Sequence, residues 1–85
     1  MRITMKQLEE RITTLNDALG YSREPYSPFT HRANPNTFYI GQAYGGYRLE
    51  QIVSESGAAR DISPRGTKRE VYNYVDGMLK GVWSV

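Results

Sequence analysis

Residues 37–53, TFYIGQAYGGYRLEQIV, decide the fold of this chain, because they show two β-strand patterns on either side of a tight turn. Gly45 and Gly46 suit a two-residue type I′ turn, whose central residues need a positive φ that glycine adopts without steric cost. The sequence therefore predicts an antiparallel hairpin over residues 37–53. The pairs expected across it are Tyr44 with Tyr47, Gln42 with Leu49, Ile40 with Gln51, and Phe38 with Val53.

The two faces of this hairpin differ in character, because successive side chains of a strand point to opposite sides. One face is apolar and carries Phe38, Ile40, Tyr44, Tyr47, Leu49 and Val53. The other is mixed and carries Tyr39, Gly41, Ala43, Arg48, Glu50 and Ile52. A lone hairpin is marginally stable in water, so we expect the apolar face to be covered by the flanking segments. The side chains expected in the core are Phe38, Ile40, Leu49 and Val53.

An alternative structure for the second half of this stretch is a helix over residues 47–53. Leu49, Ile52 and Val53 have helical spacing as well as strand-like composition, and short apolar runs fit both patterns. The glycine pair favours the hairpin.

A helix is predicted over residues 4–19, before the hairpin. Thr4 and Gln7 have the spacing of a capping box, and Gly20 stands where a glycine commonly ends a helix. Apolar residues recur at intervals of three and four: Met5, Leu8, Ile12, Leu15 and Leu19. This stripe suits packing against the hairpin, and the alternative is a seam through which two copies of helix 1 form a homodimer.

A second helix is predicted over residues 67–81, after the hairpin. Thr67 and Glu70 repeat the capping-box spacing. Gly77 suggests a close approach to the hairpin, and Gly81 suggests an early end of the helix. The apolar stripe of this helix consists of Val71, Tyr74, Val75, Met78, Leu79 and Val82.

The connections between these elements are less regular. Residues 20–36 contain three of the four prolines and form a long proline-rich loop, and residues 58–63 show a weak pattern for a short third strand. The sequence therefore predicts an α+β fold: one small domain over residues 1–85, with the order α-β-β-(β)-α and an antiparallel hairpin sheet packed against two helices.

The composition argues against an enzyme. The 85 residues include no cysteine and one histidine, His31, which lies in the proline-rich loop. No nucleophile–base grouping or metal-ligand spacing is visible, so we expect no catalytic residues, no metal and no cofactor. No segment approaches the roughly 20 apolar residues of a membrane span, so we expect no membrane partner. The net charge of +2 is too small to indicate a polyanionic partner for the chain as a whole.

One local cluster of charge is denser than the rest, because four cations fall within ten residues: Arg60, Arg65, Lys68 and Arg69. A helix N-terminus with basic side chains nearby favours anions, although cations in the first helical turn oppose the helix dipole. We therefore predict that these four residues bind a partner, together with Trp83 near the end of the chain. The alternative is an ordinary solvated surface in which Glu70 compensates the charge.

Residues 66–70, GTKRE, together with the order helix, hairpin, third strand and helix, resemble the end of a double-stranded-RNA-binding domain. In that family, basic residues at the start of the last helix contact phosphates across a groove. The resemblance implies this role for Lys68 and Arg69, and a function as a nucleic-acid-binding module.

A second resemblance is to small accessory proteins of tailed bacteriophages and prophages. The stretches that carry it are residues 5–12 (MKQLEERI), 43–46 (AYGG) and 66–70 (GTKRE). It implies a viral protein located in the cytoplasm of a bacterial host, and it implies no catalytic residue. We therefore expect a non-enzymatic accessory protein that binds a host or phage protein. The alternatives are the nucleic-acid-binding module and a homodimeric structural protein.

Overall fold

In the part of the chain that the structure describes, two helices and three strands form an α+β fold. A computed structural model describes residues 2–27, 32–43 and 45–83, except for the side chains of residues 43 and 83. The strands make one antiparallel sheet in the order β1-β2-β3, which confirms the predicted α-β-β-β-α arrangement. The elements are α1 (Met5–Leu19), β1 (Phe38–Ala43), β2 (Gly46–Ile52), β3 (Ala59–Asp61) and α2 (Lys68–Trp83).

Both helices pack on the same face of the sheet. Phe38 and Leu49 point to one side, because Ile40, two residues after Phe38, pairs with Leu49. The buried cluster on that side draws residues from both helices and from two strands: Ile3, Leu8, Ile12, Leu15, Phe38, Leu49, Val71, Val75 and Leu79. The apolar face of the hairpin is therefore covered by α1 and α2, and residues 47–53 do not form a helix.

The predicted start and end of α1 are confirmed. Thr4 Oγ1 accepts a hydrogen bond from the Gln7 N–H at 3.1 Å, and Gln7 Oε1 accepts one from the Thr4 N–H at 2.9 Å. Gly20 ends the helix in the left-handed conformation, with φ of +77°. These contacts satisfy backbone groups that a helix end otherwise leaves without partners, so the local sequence sets both ends of α1.

The apolar stripe of α1 is used within the chain. Leu8, Ile12 and Leu15 are buried in the core, while Met5 and Leu19 pack partly buried against it. The stripe faces the sheet and α2, so it does not form the exposed seam that the homodimer alternative requires. The apolar residues at intervals of three and four therefore pack within one chain, against the sheet and α2.

The predicted register of the hairpin is wrong by two residues. Ala43 pairs with Gly46, so Gly46 belongs to β2 and is not a turn residue. Of the two glycines, Gly45 has a positive φ, of +80°, and Gly46 does not. A Cβ atom on Gly46 would lie 2.8 Å from the backbone oxygen of Gly66, so this glycine is needed for a close approach between two backbones. Tyr44, expected to pair with Tyr47, lies outside the described residues, and Tyr47 pairs with Gln42.

The shift has little effect on the faces of the sheet, because it is an even number of residues and side chains alternate with a period of two. Phe38 and Leu49 are buried and Ile40 is partly buried, as expected. Val53 was expected in the core but is 49% exposed: it follows the last residue of β2 and is not part of the buried cluster.

The side of the sheet opposite the helices is covered at one end by the proline-rich loop. The Asn36 N–H donates to the Ile52 carbonyl at 2.7 Å, and the Ala33 N–H donates to the Glu55 carbonyl at 3.1 Å. Ile52 points away from the helices, yet it is only 1% exposed. The loop and the turn after β2 therefore bury it, which the mixed pattern of that face did not predict.

Asn16 joins α1 to the outer edge of β1. Its Nδ2 donates to the Phe38 carbonyl at 3.0 Å, and its Oδ1 accepts from the Phe38 N–H at 2.8 Å. Asn16 is 1% exposed. Its side-chain amide thus takes the place that a neighbouring strand would occupy, and it satisfies two buried backbone groups.

The helix α2 continues through both of its glycines to Trp83. Gly81 therefore does not end the helix. Gly77 was expected at a close approach to the hairpin, but no atom lies within 4 Å of the Cβ that an alanine would add there. None of the helices in the described residues combines the length and apolar character needed to cross a bilayer.

Replacing Gly77 with alanine should stabilise the protein by about 0.5–1 kcal/mol, because alanine restricts the unfolded chain and favours helix at an open position. The change is measured as a higher urea midpoint. Gly20→Ala is the matched comparison and should destabilise by about 1 kcal/mol, because Gly20 has the positive φ of a helix end. Equal effects of the two substitutions would contradict the assigned backbone conformations.

Candidate functional site

The start of α2 is held by a capping box. Thr67 Oγ1 accepts from the Glu70 N–H at 3.1 Å, and Glu70 Oε1 accepts from the Thr67 N–H at 3.1 Å. This reciprocal pair fixes the first turn of the helix, in agreement with the spacing of the two residues in the sequence. It also fixes the positions from which Lys68 and Arg69 project.

The β1–β2 turn lies next to this helix start. Tyr47 and Gly66 exchange two backbone hydrogen bonds, each of 2.8 Å. Gly46, which precedes Tyr47, also lies close to this segment: a Cβ atom added to Gly46 would be 3.1 Å from the Cγ of Arg65. The segment before α2 thus runs along β2, and residues about 20 apart in the chain are brought into contact.

Three of the predicted partner-binding residues meet at this corner of the molecule. Arg65 and Arg69 are exposed, and Lys68 is partly buried. The Lys68 Nζ lies 5.9 Å from the centre of the Tyr47 ring, which is within reach of a cation–π contact. We call Arg65, Lys68 and Arg69 the basic surface.

The basic surface carries an excess of positive charge. Residues 65–70 contain three cations and one carboxylate, Glu70, which leaves a net charge of +2. The N-terminus of α2 adds the partial positive charge of its backbone N–H groups. With the charge of Glu70 counted, the balance is still positive, so the arrangement favours a negatively charged partner.

Arg60 and Trp83 lie away from the basic surface. Arg60 pairs with Gln51, which is four residues along β2 from Tyr47, or about 13 Å. Its Nε and Nη2 donate to Gln51 Oε1 at 3.2 and 2.9 Å, so its guanidinium is engaged in the sheet. Trp83 is the last residue of α2, about 22 Å along the helix from Lys68, and its side chain lies outside the described part of the chain.

A second polar cluster lies on the sheet face opposite the helices. Arg48 Nη2 is 3.1 Å from Asp61 Oδ1 and 3.7 Å from Glu50 Oε2. The Tyr39 hydroxyl donates to Glu50 Oε1 at 3.2 Å. Burial, followed by the nearby Glu50 charge, raises the pKa of Tyr39 above its ordinary value. The Glu50 carboxylate occupies the space that a side chain at Gly41 would fill.

The sequence contained a partial signal for this cluster. The predicted mixed face already grouped Tyr39, Arg48 and Glu50, because they alternate with the apolar positions. Asp61 was not predicted to join them, since its place depends on the register between β2 and β3. The cluster has one cation and two carboxylates, a net charge of −1, and the Nε of Arg48 is buried without a hydrogen-bond partner among the described residues.

The described residues, with gaps at 28–31 and 44, contain no group of three or more His, Asp or Glu side chains placed to hold a metal ion. His31, the single histidine of the chain, lies in the first of those gaps.

By its fold and site, the described part of the chain is a small α+β domain that carries the basic surface at the start of its last helix. Comparison with protein families, with characterised proteins and with solved structures finds no match to this chain.

Proposed function

We propose that this chain is a non-enzymatic accessory protein that binds another protein through the basic surface. The observation that carries the proposal is the convergence of Arg65, Lys68 and Arg69 beside the β1–β2 turn, where two of them are exposed. Such a surface complements an acidic patch on a partner, which speeds association and sets orientation. A small net charge of +2 favours a protein partner over a long polyanion.

The proposed biological setting is a tailed bacteriophage or prophage, with the partner a host or phage protein in the bacterial cytoplasm. The support for this setting is the sequence resemblance of residues 5–12, 43–46 and 66–70.

A nucleic-acid-binding module is the second candidate function. It is favoured by the α-β-β-β-α order together with the position of Lys68 and Arg69 in the first turn of the last helix, where the resemblance to a double-stranded-RNA-binding domain implies phosphate contacts.

The double substitution Lys68→Gln and Arg69→Gln tests both candidates. If the partner is an acidic protein, the variant should mainly lower the association rate, and the dependence on salt should be shallow. If the ligand is an RNA duplex of about 16 base pairs, affinity should fall for all sequences alike, and the salt slope should flatten by roughly one unit per lost contact. The protein partner is obtained by pull-down from bacterial lysate with nuclease added.

The matched control is Lys6→Gln with Lys80→Gln, which removes the same charge elsewhere. Lys6 is exposed on α1, and Lys80 pairs with Asp76 at 3.3 Å about 17 Å along α2 from Arg69. The control should bind as the unmodified protein does. Folding of the test variant should be nearly unchanged, because relief of the helix-dipole clash offsets the lost Lys68–Tyr47 contact. Binding that responds equally to both pairs, or to neither, would contradict a role for the basic surface.

A further inference from the structure

The strand β1 forms one edge of the sheet, so half of its backbone groups have no strand beside them. Two hydrogen bonds at the end of β2 show which half this is. The Ile52 N–H donates to Thr37 at 3.0 Å, toward β1, whereas the Val53 N–H donates to Ala58 at 2.8 Å, toward β3. Because the direction alternates along an antiparallel strand, even-numbered residues of β2 bond to β1. Their partners in β1 are Tyr39, Gly41 and Ala43.

The remaining residues of β1 therefore direct their N–H and C=O groups outward. At Phe38 both groups are taken by the Asn16 amide. No hydrogen bond from outside the sheet reaches Ile40 or Gln42 within the described residues. Four backbone groups, two donors and two acceptors, are thus available at the edge, over a stretch of about 10 Å.

A groove runs along the same edge, between β1 and α1. Its volume is about 320 Å³, and its floor is formed by Ile12, Phe38 and Ile40. Ile12 and Phe38 are 4% and 6% exposed and belong to the buried core, and Ile40 packs partly buried against it. This volume is at the lower limit for small-molecule pockets, and it suits the insertion of a side chain.

The rim of the groove has a definite charge. Arg23 stands on the rim, but its Nε and Nη2 bind the Asp17 carboxylate at 2.8 and 2.7 Å. Glu9 also lines the groove, and it makes no ion pair with any described residue. The rim is therefore negative at Glu9, in contrast to the basic surface at the start of α2.

We propose that the β1 edge binds an extended peptide segment of a partner protein, which adds a fourth strand to the sheet. Ile40 and Gln42 supply the backbone hydrogen bonds, the groove takes an aliphatic side chain, and Glu9 contacts a basic side chain two residues away on the same face of the peptide. This surface is separate from the basic surface, and the proposal stands whether or not the basic surface binds a partner.

A second copy of the chain is a poorer occupant of this edge. The α1 helix overhangs β1 where Asn16 contacts Phe38, so two copies paired edge to edge would bring their α1 helices together. The rims that meet would both present Glu9, and like charges repel. A peptide from another protein avoids this repulsion and reverses it where the peptide is basic.

The test uses two synthetic probes, acetyl-Thr-Val-Thr-Lys-Thr-amide and acetyl-Thr-Lys-Thr-Val-Thr-amide, which cover both strand directions. Binding is followed by chemical-shift changes in ¹⁵N-labelled protein. For one probe, we expect the largest changes at the Ile40 and Gln42 amides. The same probe with N-methylated backbone amides should bind about tenfold more weakly, because it keeps its side chains but loses two or more hydrogen bonds.

Two substitutions locate the contacts. Gln42→Pro removes an outward N–H and no bond of the sheet, so it should weaken probe binding about fivefold or more, while Gln42→Thr, which keeps the N–H, should not. Glu9→Gln should reduce the preference for lysine over norleucine in the probe by about twofold to fivefold.

The proposal is overturned if neither probe at millimolar concentration shifts Ile40 and Gln42, or if N-methylated and unmodified probes bind equally. It is also overturned if sedimentation shows a dimer that Gln42→Pro converts to monomer, because a second copy would then occupy the edge. Should Gln42→Pro fail to fold by circular dichroism, the N-methylated probe on the unmodified protein decides the question.

Discussion

Replacing Leu49 with alanine is expected to lower the free energy of unfolding by about 2–4 kcal/mol. Leu49 is fully buried at the centre of β2, among core residues from both helices. Truncation removes apolar burial and leaves a cavity that a close-packed core fills only partly. For a domain of 85 residues this is a large share of the total stability, which is typically about 5–15 kcal/mol. Urea unfolding followed by circular dichroism measures the change.

Val53→Ala is the matched control for this prediction. Val53 lies one residue beyond β2 and is 49% exposed, so its truncation should change stability by about 0.5 kcal/mol or less. The register predicted from the sequence places both Leu49 and Val53 in the core, whereas in the structure Leu49 is buried and Val53 is half exposed. Similar losses of stability for the two variants would argue for the register predicted from the sequence.

Replacing Asn16 with alanine is expected to lower the free energy of unfolding by about 2–4 kcal/mol. The substitution leaves the Phe38 N–H and carbonyl without the two hydrogen bonds of 2.8 and 3.0 Å that the Asn16 side chain provides. Buried polar groups without partners carry their full desolvation penalty, and alanine does not replace either bond. Urea unfolding gives the free energy, and faster hydrogen exchange at the Phe38 amide reports the local opening of the edge.

Asn73→Ala provides the comparison, because Asn73 is also a helical asparagine but is exposed, whereas Asn16 is buried in the last turn of α1. Its substitution should be neutral or slightly stabilising, since alanine has the higher helix propensity. If Asn16→Ala and Asn73→Ala behave alike, Asn16 does not hold the β1 edge.

The two proposed surfaces have opposite charge and lie on different parts of the fold. The basic surface stands beside the β1–β2 turn, and the groove with Glu9 lies between α1 and β1. The two proposals together would allow contact with one protein partner at two places, or with two different partners. Substitutions at Lys68 and Arg69 should leave the peptide probes unaffected, because those residues do not line the groove.

Part of the basic surface was predictable from the sequence. The capping box of Thr67 and Glu70 located the helix start, and hence placed Lys68 and Arg69 in its first turn. Arg60 was grouped with them because it is close in sequence. In the structure it belongs to β3 and bonds to Gln51, because an antiparallel strand carries the chain along the length of the sheet.

The sequence by itself determined the features that depend on neighbouring residues. Capping spacings set where the helices begin, Gly20 set where α1 ends, and the alternation over residues 37–53 set which side chains face the helices. These features arise from contacts within about four residues, or from the period of the backbone, so they are encoded locally.

The tertiary structure alone decided the register of the hairpin, the role of Asn16 and the position of the basic surface beside the β1–β2 turn. Gly46 lies in β2 and pairs with Ala43, and the backbone at Gly66 passes too close to leave room for a side chain there; nothing within the hairpin itself indicates this contact. Asn16 bonds to Phe38 across 22 positions of the chain. Each of these contacts joins segments that are distant in sequence, so it exists only once the helices and the sheet have packed together.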